Sequence, residues 1–127
     1  MDLNEYQERA HKTAIYRDRI RALGNAAEHA GDNSYLMMLL DLSYVSLGLA
    51  GEAGEFANKV KKLIRDTGAI TMQDRLRLID ELGDALWYIS DAARILGVDL
   101  EIVAGSNLTK LANRAESGTI KGSGDER

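Results

Sequence analysis

Four carboxylates in two short runs have the residue types and spacing that could do chemistry. Gly51-Glu52-Ala53-Gly54-Glu55-Phe56 and Glu81-Leu82-Gly83-Asp84 each set two acids at i and i+3. On a helix, that spacing puts both side chains on one face, one turn apart. Two such helices facing each other would gather four carboxylates around a common point. Hard cations such as Mg2+ and Mn2+ take oxygen ligands of this kind, and helical bundles build metal sites from facing inward positions. Singly, each acid reads more readily as a solvated surface group. Glu55 and Lys59 also have the i, i+4 spacing of an ordinary surface pair. The matched spacing and phase on two segments reverse that reading.

The phase follows from about 100° per residue. Val45, Leu49, Phe56, Val60, Leu63 and Ile64 make one apolar stripe, with Glu52 at its edge and Glu55 and Lys59 beside it. Leu78, Leu82, Ala85, Ile89, Ala92 and Leu96 make another, with Glu81 at its edge and Asp84 and Tyr88 beside it. Each helix thus carries one acid at the core boundary, where a cation offsets the cost of desolvation. Trp87 points to a different face and is expected in packing or a subunit contact.

The elements that position these groups are expected to be helices throughout. Proline is absent and β-branched residues are scattered, which favours an all-α chain. Four segments are predicted, as in a four-helix bundle. The first covers 4–30, with a break at Gly24-Asn25. A turn at 31–33 and a Ser34 cap lead into 35–66, with a bend near Gly48 and Gly51. The third covers 72–96, capped by Thr71 and stopped by Gly97. The fourth covers 100–117 after an Asp99 cap. Residues 118–127, rich in glycine and charge, read as a flexible tail. The run Tyr35-Leu36-Met37-Met38-Leu39-Leu40 is too continuous for one buried stripe and points to a partner surface.

The 127 residues suit a single domain, with 45% apolar residues to build a core. A net charge of −4 argues against non-specific nucleic-acid binding. It leaves phosphate substrates open, because a metal ion reverses the local sign of charge. With no cysteine, disulfides, zinc–thiolate sites and thiol catalysis are excluded. Only His11 and His29 are present, so a histidine-rich metal site is not expected. No apolar run reaches the ~20 residues of a membrane span, and the first residues lack signal-peptide features. A cytoplasmic protein without a membrane partner is expected.

These residues carry a family resemblance. Glu52-x-x-Glu55 followed by Glu81-x-x-Asp84 resembles the metal-binding pattern of the MazG-like nucleotide pyrophosphohydrolases, in the all-α NTP pyrophosphatase superfamily. The flanking Leu47-Gly48-Leu49-Ala50, Lys61-Lys62 and Ala85-Leu86-Trp87-Tyr88 agree. Asn107-Leu108-x-Lys110-Leu111-x-x-Arg114 and Gly122-Ser123-Gly124-Asp125-x-Arg127 are similar to the C-terminal part of phage and bacterial members, and Asn4-x-Tyr6-Gln7 to their N-terminus. Residues 15–33 depart from the pattern, which bears on substrate selectivity.

The resemblance implies hydrolysis of a nucleoside triphosphate between the α- and β-phosphates, to a monophosphate and pyrophosphate. Two or more Mg2+ or Mn2+ ions would be held by Glu52, Glu55, Glu81 and Asp84, with Glu55 the best candidate to orient or deprotonate the water. Lys59, Lys62, Tyr88, Asn107, Lys110 and Arg114 would contact substrate; without the resemblance, each reads as a surface pair, a solvated face or a core-edge tyrosine. A homodimer or homotetramer is implied, with dGTP or GTP as leading substrate, and the host cytoplasm as location if a phage encodes the chain. The alternative is a non-catalytic helical module that binds nucleotide or a partner; the intact quartet favours the enzyme. A di-iron bundle would use Glu-x-x-His pairs, which this chain lacks.

Overall fold

The computed structural model describes residues 1–25 and 34–118, which form five helices and, among the described residues, no strand. They are α1 (Leu3–His11), α2 (Tyr16–Asn25), α3 (Ser34–Asp66), α4 (Met72–Ile95) and α5 (Leu100–Glu116). The chain is therefore all-α, as expected. The predicted turn at 31–33 and most of the tail lie outside the described residues, as does the Ser34 side chain.

One boundary differs from expectation. The first segment has a break at 12–15 that the sequence reading lacked, so α1 and α2 are separate helices, and α2 ends at Asn25. Thr13 ends α1 by donating its hydroxyl to the Ala10 carbonyl and accepting from the Trp87 indole, at 2.7 Å each. That stop depends on a residue 74 positions away. No break falls at Gly48 or Gly51, and α3 runs as one helix through 33 residues.

The remaining ends follow local chemistry. Thr71 and Asp74 form a reciprocal capping box at the start of α4. Gly97, at φ 73°, stops it in the left-handed region that glycine tolerates. Asp99 makes no side-chain cap on α5. The first N–H groups of α5 are served instead by α1: Leu100 donates to Gln7 Oε1 and Glu101 to Asn4 Oδ1, each at 3.3 Å. Helix N-termini leave such donors unsatisfied, and here a distant helix supplies the acceptors.

α3 and α4 form the central pair and run antiparallel, since Lys59 meets Glu81 while Gly48 faces Tyr88. α1 packs on α4, α2 on α3, and α5 on α1 and α4. A Cβ at Gly48 would run into the Tyr88 ring, so the close approach of the two helices depends on that glycine. Gly48→Ala is expected to cost about 1–3 kcal/mol through overpacking, although alanine is the better helix former. Gly51→Ala, where a Cβ meets nothing within 4 Å, is expected to be neutral or mildly stabilising. Urea denaturation of the two variants reads the difference.

Behind this pair lies a buried polar network. Asp91, 1% exposed, accepts from the Tyr16 hydroxyl at 2.5 Å and lies 2.8 Å from His11 Nδ1. Arg17 reaches His11 Nε2 at 3.2 Å and Asp41 at 3.5 Å, and Tyr16 stacks on Tyr44 at 4.1 Å. Burial first, then the hydrogen bond to Asp91, push the Tyr16 pKa far above its ordinary value. The network joins α1, α2 and α3 to the rear of α4.

The apolar stripe expected on α4 is only half realised. Leu78, Ala85 and Ala92 are half-buried, but Leu82, Ile89 and Leu96 are exposed, while Glu81, Ser90 and Asp91 are buried. On α3, Val45 is buried and Leu49, Phe56, Val60 and Leu63 are half-buried, with Ile64 exposed. Tyr35, Leu36, Leu39 and Leu40 stand exposed in the protomer. By length and composition α3 is apolar enough to cross a membrane, contrary to the expectation that no such stretch exists. Its Asp41 is nonetheless buried against Arg17 of α2.

Candidate active site

Glu52, Glu55 and Glu81 converge across the α3–α4 interface, each offering an oxygen within 4.8 Å of the others. The antiparallel pairing produces this, because acids one turn apart on each helix then face their counterparts. Burial is graded: Glu81 is buried, Glu52 half-buried, and Glu55 exposed. The two acids placed at the core edges by helical phase are the more buried of each pair.

Crowding marks the electrostatics. Desolvation, then repulsion from Asp84, Glu55 and Glu81, raise the Glu52 pKa above the ordinary carboxylate value. Lys59 partly neutralises the group, with Nζ 2.5 Å from Glu81 Oε1 and 3.8 Å from Glu55. Its hydrogen bond to Glu81 raises its own pKa. The second oxygen of Glu81, Oε2, is buried and has no hydrogen-bond partner. A carboxylate oxygen left so has the lone pairs to take a hard cation, and the donor set is all oxygen. The residues present therefore fit a divalent metal, which Glu52, Glu55 and Glu81 would hold.

Asp84 stands beside this trio and outside its 4.8 Å grouping. It is exposed and shares a cavity of about 270 Å³ with Glu52, Thr13, Trp87 and Tyr88. Its charge, after burial, raises the Tyr6 pKa. Three of the four expected acids thus meet directly, and the fourth borders them.

The two ends of the cluster differ in chemistry. Beyond Glu55 and Lys59 lies a cleft of about 540 Å³ that includes Asn58, Lys62, Asp74 and Arg77. At the Glu52–Asp84 end the smaller cavity is aromatic. Trp87 and Tyr88 meet edge to face there at 4.9 Å. The Tyr88 pKa is raised by burial, then by Tyr44, Glu52 and Asp84. Trp87, expected on a different face, lines the same cavity as Tyr88. Arg77 escaped the sequence reading because, three residues after Asp74, it has the spacing of a surface pair; only its place one turn before Glu81 hints at the site.

Asn107, Lys110 and Arg114 do not join the cluster within one protomer. Their helix, α5, packs on α1 and α4 and not on α3, which carries half of the acids. Lys110 and Arg114 line a separate groove of about 680 Å³ along α5, and Asn107 is exposed.

Comparison with known proteins agrees with this geometry. The family model for the MazG nucleotide pyrophosphohydrolase domain matches residues 42–119, a span that holds all four acids. "Gene 37 protein" of Mycobacterium phage L5 is 45% identical over 128 residues, covering the whole of both chains. No solved structure matches the chain. With the family model covering most of the chain and a relative aligned end to end, the protein belongs to the MazG nucleotide pyrophosphohydrolases, hydrolases acting on phosphorus-containing acid anhydrides.

Proposed function

We propose that the protein hydrolyses nucleoside triphosphates between the α- and β-phosphates, in a Mg2+- or Mn2+-dependent reaction centred on Glu52, Glu55, Glu81 and Asp84. The observation that carries this reading is the meeting of three carboxylates around an unpartnered, buried oxygen of Glu81. When bound, the metal would offset the charge of the triphosphate and acidify an attacking water. Glu55 would orient that water, a role its exposure to solvent supports. Lys62 and Arg77 hold the leaving pyrophosphate in their cleft, and Trp87 and Tyr88 receive the base. Phosphoryl chemistry relies mainly on such positioning and charge compensation.

The assembly is a homodimer or homotetramer. Exposed Leu36, Leu39, Leu47, Leu82 and Leu108 support this, since monomers rarely leave so much large apolar surface uncovered. A second copy is also what would bring Asn107, Lys110 and Arg114 to the acids. dGTP or GTP is the leading substrate, supported by the resemblance of the C-terminal pattern to phage members of the family. The protein acts in the cytoplasm, that of the host if a phage encodes it.

A panel of deoxy- and ribonucleoside triphosphates with Mg2+ or Mn2+, with products separated by chromatography, tests this. Monophosphate and pyrophosphate are expected, fastest from guanine nucleotides, with no turnover in EDTA. Diphosphate and orthophosphate would refute the bond assignment. Absence of any product across the panel would leave the binding-module reading in its place. In the same assay Arg77→Ala is expected to raise KM about tenfold, the scale of one lost charge-assisted contact.

A further inference from the structure

Lys59 belongs to two places at once. Its ammonium sits among the acids, 2.5 Å from Glu81 Oε1 and 3.8 Å from Glu55 Oε2. Its side chain also lines the cleft that holds Asn58, Lys62 and Arg77. Lys59 follows Glu55 by one helical turn, so its flexible stem spans the border between the two environments.

We infer that Lys59 is a tethered counter-ion, which fills the cation position between Glu55 and Glu81 until a divalent metal displaces it, and then moves into the adjoining cleft to bind the terminal phosphates. The inference rests on the metal-binding reading of the acids given above. A magnesium ion lies about 2.0–2.1 Å from its oxygen ligands. The ammonium sits on Oε1 of Glu81 and close to Glu55. A divalent ion taken up by Oε2 therefore meets a like charge across one carboxyl group, and the two cations compete for the same pair of acids. The ammonium also leaves Glu81 Oε2 without a partner, which a multiply coordinating ion would not need to do. The metal therefore has a basis for winning the exchange.

The exchange has a purpose that neither contact has alone. While Lys59 holds the acids, its charge is withheld from the cleft. Metal entry releases it beside Lys62 and Arg77. Binding of metal and of pyrophosphate become mutually supportive, and linkage requires the coupling to be reciprocal.

Binding of Mn2+ without nucleotide, followed by the magnetic resonance signal of the free ion, tests this on the full chain. Lys59→Met is expected to bind Mn2+ about tenfold more tightly than the parent, inside the usual range of about 5- to 150-fold for coupled sites. Lys62→Met removes the same charge from the same cleft without emptying the acid cluster, and is expected to change Mn2+ affinity by less than about threefold if the effect is displacement and not a diffuse field. Equal tightening in both variants, or none in Lys59→Met, overturns the inference. A parent protein that binds no Mn2+ at all instead sinks the metal-binding reading beneath it.

A second measurement needs no variant. Acylation of lysines in the parent protein, resolved by mass spectrometry, should modify Lys59 several-fold faster in Mg2+ than in EDTA, with Lys61 as the internal reference. Protection of Lys59 that is unchanged or greater in Mg2+ overturns the displacement.

Discussion

Glu81→Gln is expected to lower kcat by at least about a thousandfold, equivalent to roughly 4 kcal/mol of transition-state stabilisation. The substitution keeps the shape of the side chain and removes its charge. Glu81 is the buried member of the cluster and the partner of Lys59, and its Oε2 is left without a hydrogen bond. An amide there would offer a neutral carbonyl or an NH2 group to an incoming cation, and the latter repels it. Charge compensation by a metal supplies several kcal/mol to reactions of this class. The measurement is pyrophosphate release at saturating Mg2+, with circular dichroism to show that the helices persist. Activity within about tenfold of the parent would move the reaction centre elsewhere.

Asp91→Ala is expected to destabilise the fold by about 2–4 kcal/mol, since each buried hydrogen-bonding group left without its partner costs about 1–3 kcal/mol. The carboxylate receives the Tyr16 hydroxyl and holds His11, so its loss strands two side chains on two helices. Tyr16 would still stack on Tyr44 but would lose its acceptor. A urea titration gives the stability change directly. Mn2+ affinity below the unfolding transition should change far less, because Asp91 lies outside the acid trio. A stability loss below about 1 kcal/mol would mean that the network contributes little net energy, as some buried polar networks do.

Much of the site was legible because helical phase is a local property. Glu52 and Glu81 were placed at core edges by counting residues, and they are the more buried acids of their pairs. Thr71 and Gly97 bounded α4 for equally local reasons, a capping hydroxyl and a left-handed turn. What could not be read depends on partners distant in sequence. The stop at Thr13 needs the Trp87 indole, and the cap of α5 comes from Asn4 and Gln7 of α1. The burial of α4 was misjudged for a related reason. Asp91 and Ser90 go inside because Tyr16, His11 and Gln7 come to meet that face. Hydropathy assigned the inside to Leu82, Ile89 and Leu96, which the protomer leaves exposed.

Only Tyr16, Val45, Ala93 and Leu100 count as buried apolar residues among those described. A protomer with so thin an interior derives much of its folding free energy from association, under the assembly proposed above. Mass action then governs its persistence: the melting temperature climbs with protein concentration, and dilution alone should unfold the chain. In an infected or growing cell, the amount of active enzyme would fall faster than in proportion as synthesis slows.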